Sequence, residues 1–499
     1  MSKQQPNSSY NKLKNIFKEI HIIRAIQSNL HWDMEVMMPE QAVDARGEQL
    51  AFLEEQVVHR ITAQEVSEML DQAVAEVAKL DQWEQANLRN MKRIYTNYIA
   101  VDGKLMAQYS EICNKSNAVW REARANNDWE MLTPYLEKVV DMVRKIAEQR
   151  ADYLSMTPYN SLLNEFDPGR TSAEIDEHFS YLSKELPEIL GARMETQQVK
   201  DRWPFLVPTE AQKKLGVEYM QEMGFNFSSG RLDTSTHPFC NGGWPDIRIT
   251  SRYDESDPIT ALYGILHEAG HALYEQQLPR AWRDQPVGCA HGMSLHESQS
   301  LFVEKQIGRH PKFISHLSKR MKVVFNEFGD TVDEHWLQQY MLHVQPSFIR
   351  VDADEVTYPM HIIMRYNIEK RLFDGDIGVR DMPRLWNAYS QELLGIIPPD
   401  DVSGCLQDIH WPSGLFGYFP TYTLGAMNAA QLAKAMNKAM PHWRDQLADG
   451  RLKPVIEWLG THVHAYASLF GTANELIEHA TGEILNPRYF IEHLRSRYL

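Results

Sequence analysis

Asp257-Pro258-Ile259-Thr260-Ala261-Leu262-Tyr263-Gly264-Ile265-Leu266-His267-Glu268-Ala269-Gly270-His271 is the stretch that decides how this chain is read. Asp257 followed by Pro258 is a helix start: a capping carboxylate, then a residue whose missing N–H is no loss in the first turn. Ile259, Leu262, Leu266 and Leu273 then recur at helical spacing. On a helix, positions i and i+4 share a face. His267 and His271 therefore aim two imidazoles at one point, where they can grip a metal ion, and Glu268 between them can serve as a general base. Gly270 costs about 1 kcal/mol relative to Ala in a helix interior. Its place beside the second histidine predicts close approach by another backbone.

Farther along, His296-Glu297-Ser298-Gln299 offers an acidic third ligand. Two imidazoles and one carboxylate leave a tetrahedral corner open to water, which separates a catalytic zinc site from a structural one. The same stretch also spells a capping box, with Ser294 at the N-cap and Glu297 at N3. In that case the carboxylate accepts from backbone N–H and not from a metal. Both readings begin a helix here, since Leu295, Ser298, Leu301, Phe302 and Lys305 keep helical spacing. Spacing leaves the choice open, and Glu304 is the nearest alternative carboxylate.

The composition frames these motifs. A hydrophobic content of 43% over 499 residues is ordinary for a globular chain. The net charge of −16 argues against a nucleic-acid partner, whose phosphates need a basic surface. Cys113, Cys240, Cys289 and Cys405 are scattered without a CxxC pair, which predicts reduced thiols and neither a disulfide framework nor a cysteine zinc site. The opening Met1-Ser2-Lys3-Gln4-Gln5-Pro6 is polar and lacks the apolar core of a signal peptide. No stretch has the apolar length of a membrane span. The expectation is a cytoplasmic protein without membrane contact.

Residues 1–165 read as helical throughout, with Leu13, Ile16, Phe17, Ile20 and Ile23 forming one apolar stripe. Residues 45–155 are charged and nearly free of Gly and Pro, which predicts two or three long helices. Asp167-Pro168-Gly169 is a turn signal. Thr209-Glu210-Ala211-Gln212 resembles another capping box. Between Phe225 and Tyr253 the helical pattern fails, and Asp246-Ile247-Arg248-Ile249-Thr250 alternates with the period of a strand. A strand beside the metal helix is expected to offer an edge to an extended peptide. With no repeat and no long linker, residues 1–499 are expected to form one α-rich catalytic unit. Its helical portion 1–165 packs against the portion 166–499 that carries the motifs.

Three further stretches are dense in reactive side chains: His237-Pro238-Phe239, Ile349 to Tyr358, and Gly404 to Trp411 followed by Gly417 to Tyr422. Taken together, the motifs resemble those of the carboxypeptidase Taq family of metallocarboxypeptidases. The HPF motif is His237-Pro238-Phe239, and DxRxT is Asp246, Arg248 and Thr250. The metal motif is His267-Glu268-Ala269-Gly270-His271, and HES(G)Q is His296-Glu297-Ser298-Gln299. The IRxxADE motif runs from Ile349-Arg350 to Ala353-Asp354-Glu355. GxxQDxHW is Gly404, Gln407, Asp408, His410 and Trp411.

The resemblance implies that Glu297 is the third ligand of one zinc ion per chain, with cobalt a possible substitute. It implies a mainly α, gluzincin-type peptidase fold with a deep cleft and a small β-sheet beside the metal helix. It also implies a homodimer that releases single residues from peptide C-termini with broad specificity. Glu268 then carries the proton. Tyr418 is the expected oxyanion donor, because its segment resembles the tyrosine-bearing region of related helical dipeptidases; His410 and His237 come next. A free C-terminal carboxylate needs a guanidinium, for which Arg350 is expected ahead of Arg248. Gln407 is expected on the substrate backbone, and Asp246, Glu355 and Asp408 as carboxylates that orient histidines and arginines. The rival readings are a helical metallo-oligopeptidase that cuts internally and a helical binding protein without turnover.

Overall fold

A computed structural model describes residues 8–198, 202–325 and 332–499. The polar opening segment Met1–Pro6 lies outside them. The chain begins with α1 Ser9–Val36, α2 Val43–Ile61, α3 Gln64–Ala75, α4 Gln82–Ile99, α5 Gly103–Asn126, α6 Trp129–Leu154 and α7 Pro158–Phe166. The expected helical opening is present, but five helices, α2 to α6, fill the stretch where two or three were expected. Three of the four breaks carry side-chain caps; the one between α2 and α3, at Ala63, has none. Asp81, Asp102 and Asp128 each accept a backbone N–H at a helix start, and Asn127 ends α5 in the left-handed region at φ 52°. The stripe of α1 buries Leu13, Phe17 and Ile20 against Val57, Val66, Leu70 and Met91, a small core separate from the main one.

After α8 Ser172–Thr196 and α9 Thr209–Glu222 comes the sheet: β1 Gly230–Thr234, β2 Cys240–Gly243 and β3 Asp246–Ser251, in the order β1-β3-β2. The capping box expected at Thr209 does not form. Pro208 precedes the helix, and Gln212 donates instead to the carbonyls of Val207 and Asp254, both at 2.8 Å. β3 runs parallel to β1 and antiparallel to β2. Ile247 and Ile249 are fully buried on one face, as the alternation predicts. The expectation that β3 offers a free edge is overturned, because β3 is central and paired on both sides. The edges belong to β1 and β2, and on β2 the Asn241 amide donates to the Ser28 carbonyl of α1 at 2.8 Å.

The chain then enters α10 Pro258–Gln277 and α11 Met293–Leu301, which runs on into a π-helical segment, Phe302–Ile307. The remaining helices are α12 Pro311–Val324, α13 Glu334–Met341, α14 Tyr358–Asp374, α15 Met382–Leu394, α16 Pro420–Ala439, α17 Trp443–Leu447, α18 Lys453–His462, α19 Ala473–Thr481 and α20 Arg488–Tyr498. Among the described residues no helix is long and apolar enough to cross a membrane. α10 lies between β3 and α11, and α16 packs against α11. At the crossing of α10 and α11, a Cβ on Gly270 would stand 2.5 Å from the Gln299 carbonyl oxygen and 2.6 Å from the Ser300 Cα. That is the predicted close approach of a second backbone. Gly270→Ala is expected to destabilise the fold by about 1–3 kcal/mol through overpacking. It should also push α11 off α10 and lower metal occupancy. Thermal unfolding and elemental analysis check both, and an unchanged melting temperature would mean the helices can part freely.

Candidate metal and peptide site

α10 starts as its sequence says: Asp257 accepts the Thr260 N–H, and Pro258 occupies the first turn. Between about two and a half and three and a half turns on, His267 and His271 share one face, and α11 brings Glu297 across to them. One ligand atom from each of the three lies within 4.8 Å of the others. The Glu297 oxygens stand 3.9 Å from His267 Nε2 and 3.6 Å from His271 Nε2. A tetrahedral ion with bonds of about 2.0–2.2 Å needs ligand atoms about 3.3–3.6 Å apart, so the two Glu297 separations lie within a few tenths of an ångström of what an ion requires. The capping-box alternative is overturned: Gly292 is the N-cap of α11, and the Ser294 hydroxyl donates to Asp167 Oδ2 at 2.8 Å. From the other side α16 presses on the ligand, since a Cβ on Gly425 would stand 2.8 Å from Glu297 Cβ.

The charges around this point favour a cation. Burial lowers the basicity of His267, but the Glu297 charge, the Glu304 hydrogen bond and the Glu268 charge outweigh it and hold the ring's pKa up at about 9. Glu304, on the π segment, takes His267 Nδ1 at 3.0 Å and is itself supported by Lys305 and Arg309. A carboxylate behind a histidine fixes the ring's tautomer and raises its basicity as a ligand. Glu304 is thus not the third ligand but the group that turns His267 toward the ion. Glu268 is 7% exposed, and burial, with Glu297 adding and His267 opposing, pushes its carboxyl up to about 7. A carboxyl near neutrality is suited to take and return a proton.

A wall of aromatic and cationic groups faces the ligands. Tyr358, Tyr418 and Tyr422 are raised first by burial, and each also feels the Glu297 charge. Tyr418 sits edge-on to Phe166 at 5.0 Å and to Tyr422 at 5.4 Å. Arg350, 6% exposed, donates to the Tyr358 hydroxyl at 2.8 Å and to Asp408 Oδ1 from Nε at 3.1 Å and Nη2 at 2.9 Å. These contacts leave N–H groups on both terminal nitrogens for another acceptor. His410 Nε2 lies 3.3 Å from the Tyr422 hydroxyl. Burial, seconded by Arg350 and Arg365 against Asp408, pulls its pKa down to about 4, so the ring is neutral at pH 7.

The other expected residues either brace this wall from behind or lie away from it. Asp408 is shared by Arg350 and by Arg365, whose Nε is 2.7 Å away, and so orients an arginine as expected. Gln407 has its amide occupied by the protein: its oxygen accepts from the Arg350 N–H and Arg365, both at 2.8 Å, and its nitrogen donates to Phe348, Ser403 and Gly404 carbonyls. That geometry fits a brace under Arg350 better than a substrate contact. Arg248 forms a two-bond pair with Asp246 and stacks over Trp32 of α1 at 4.4 Å. It ties α1 to the sheet. His237 is exposed, on a loop whose Pro238 lies against α10 one turn before Glu268.

Glu355 faces α20 and neither a histidine ligand nor Arg350. It accepts from His493 at 2.8 Å and from Arg497 and the Tyr498 hydroxyl at 2.9 Å. Burial opposes its ionisation, yet Arg497, His493 and Arg309 hold its pKa well below the usual range. A depressed carboxyl stabilises the fold above its unfolded pKa and loses that contribution as pH falls through the folded value. Glu355→Gln is therefore expected to destabilise by about 3–5 kcal/mol at pH 7, because it strands Arg497. The gap from wild type should narrow as pH drops below about 4.5. Denaturant unfolding at pH 7 and pH 3.5 measures it; a gap that stays constant contradicts the assignment.

Sequence reasoning did not single out Glu304 as a partner of His267, or Glu275, Tyr358 and Tyr422. Glu369 was also missed: this fully buried carboxylate accepts from Trp411 Nε1 at 2.8 Å, the Gly417 N–H at 2.8 Å and the Tyr159 hydroxyl at 2.9 Å, pinning the loop before Tyr418. The seven-residue step from Glu297 to Glu304, two turns on one helix face, was the available signal for Glu304; nothing in the pattern marked Glu369.

Comparison with known proteins follows the same line. The profile of the family described as carboxypeptidase Taq (M32) metallopeptidase matches residues 12–498. Carboxypeptidase 1 of Bacillus subtilis is 34% identical over 479 residues, 94% of this chain and 94% of that one. Thermostable carboxypeptidase 1 of Thermus thermophilus is 32% identical over 515 residues, covering 99% of each. The solved structure of Trypanosoma cruzi metallocarboxypeptidase 1 superposes with a TM-score of 0.96 at 34% identity, over 98% of this chain and 99% of that one.

Proposed function

Because this chain belongs to the carboxypeptidase Taq (M32) family of metallopeptidases, we propose that it releases single residues from peptide C-termini by a division of labour among its own side chains. His267, His271 and Glu297 hold the ion, for which zinc is our choice and cobalt a substitute. When bound, the ion acidifies a water and polarises the scissile carbonyl. Glu268 accepts the proton of the attacking water and returns it to the departing amine. The Tyr418 hydroxyl donates to the developing oxyanion, with His410 and His237 the next candidates. Arg350, braced by Asp408 and Gln407, receives the substrate's terminal carboxylate. Arg248 organises the sheet against α1.

The observation that carries this reading is the convergence of two imidazoles and a carboxylate next to a buried Glu268, with a partly engaged guanidinium close to the same wall. We further read residues 1–499 as one catalytic unit, assembled as a homodimer of broad side-chain specificity. Four free cysteines suit a reducing compartment such as the cytoplasm. Product analysis on a peptide and its C-terminal amide, with the metal identified in the same sample, tests the core claim. Residues should leave one at a time from the free acid, and the amide should be nearly inert. Internal cuts in both peptides would favour the oligopeptidase reading, and no metal and no cleavage the binding-protein reading.

A further inference from the structure

His267 and His271 face the same point but are held differently. His267 leans directly on a carboxylate, Glu304. His271 leans on another imidazole: its Nδ1 is 2.6 Å from His296 Nδ1, and His296 Nε2 is 3.0 Å from Glu275 Oε1. We propose that His296, locked by Glu275, is a positioning residue that holds His271 in the tautomer able to bind the ion. This rests on the metal-centre reading above, and it assigns work to two residues, His296 and Glu275, outside the ligand set and the catalytic groups.

The argument is one of proton placement. His271 Nε2 is the nitrogen that faces Glu297, at 3.6 Å. A neutral ring carries one proton, so a lone pair on Nε2 requires the proton on Nδ1. His271 Nδ1 then donates, and His296 Nδ1 accepts. His296 must in turn carry its own proton on Nε2, where Glu275, an acceptor only, receives it. The reverse arrangement fails at both ends. It sets a His296 lone pair against the Glu275 lone pairs and puts the His271 proton on Nε2, where the ion belongs. Glu275 therefore selects the tautomer of His296, and His296 selects that of His271. Glu275 lies one turn past His271 on α10, while His296 precedes Glu297 on α11, so the chain of contacts also joins the two ligand-bearing helices at the site. The three side chains are only 13–20% exposed, which keeps competing water from relaxing the constraint.

Zinc dissociation constants, measured by competition with a chromophoric chelator, test the proposal on the full chain: wild type, His296→Phe, Glu275→Leu and Glu275→Gln. His296→Phe and Glu275→Leu should each weaken zinc binding by about 10–100-fold, the usual cost of removing a ligand's supporting partner. Glu275→Gln, whose amide oxygen still accepts from Nε2–H, should lose less than either. Selective ¹⁵N-histidine spectra of the zinc-loaded wild type should show His296 protonated at Nε2, a readout that stands even where the Phe variant fails to fold. Zinc affinities of both His296→Phe and Glu275→Leu within about twofold of wild type, well short of that range, overturn the proposal. So does a His296 protonated at Nδ1. A wild type that binds no zinc at all defeats the metal-centre reading instead.

Discussion

Glu268→Gln is expected to lower kcat by about 10²–10⁴-fold, the range for a general acid–base group, with metal content unchanged. Gln keeps the volume and one acceptor of the buried carboxyl, so the packing of α10 against the sheet survives. It cannot take up a proton. Glu268 stands outside the trio whose ligand atoms converge, so its loss does not remove a ligand. Any drop should therefore fall on kcat, with KM moving little, because the lost interaction is one made in the transition state. His410 and His237 are the other titratable groups expected here. His410 is held neutral at pH 7 by burial and by Arg350 and Arg365, and its nearest polar neighbour is the Tyr422 hydroxyl. Were either histidine the true base, the Gln variant would keep most of its turnover. Steady-state kinetics beside elemental analysis of the same preparation decides; near wild-type kcat with full metal removes Glu268 from the mechanism.

What the sequence made legible, and what it hid, follows the reach of each signal. Asp257, Pro258 and the apolar spacing of Ile259, Leu262 and Leu266 act within one helix, and α10 appears where they place it. Gly270 announced a contact without naming the partner, and the partner is the backbone at Gln299 and Ser300. Glu297 was ambiguous because a capping box and a ligand share one spacing; the choice turned on Gly292, whose positive φ starts α11 two residues early. The segment 45–155 misled because three of its four helix breaks are Asp and Asn caps, polar residues that read as solvated surface in a charged stretch. β3 gave its strand but not its neighbours, since alternation says nothing about which strands lie beside it. The partners of Arg248, Glu355 and Glu369 lie on remote elements, at α1, α20 and the Trp411–Gly417 loop, and only the tertiary fold brings them together.

The strongest discrimination expected from one substitution is at Arg350. Removing one member of a buried, hydrogen-bonded charge pair costs about 2–5 kcal/mol, so Arg350→Gln should reduce kcat/KM on free-acid peptides by about 30- to 5,000-fold. The amide, which brings no charge to pair, should change far less, and the ratio of acid to amide rates should collapse. Asp408 keeps Arg365 as a counterion, which limits the structural damage in the variant. Arg350→Lys retains the charge but lacks the planar fork, so it should recover only part of the loss. Arg248→Gln is the contrasting case. Its guanidinium is engaged by Asp246 and stacked on Trp32, so its removal should loosen α1 from the sheet and lower thermal stability while leaving the acid-to-amide ratio intact. If Arg350→Gln still prefers the acid by the wild-type margin and Arg248→Gln does not, the carboxylate is held on the sheet side of the site and the two arginines exchange the roles given to them here.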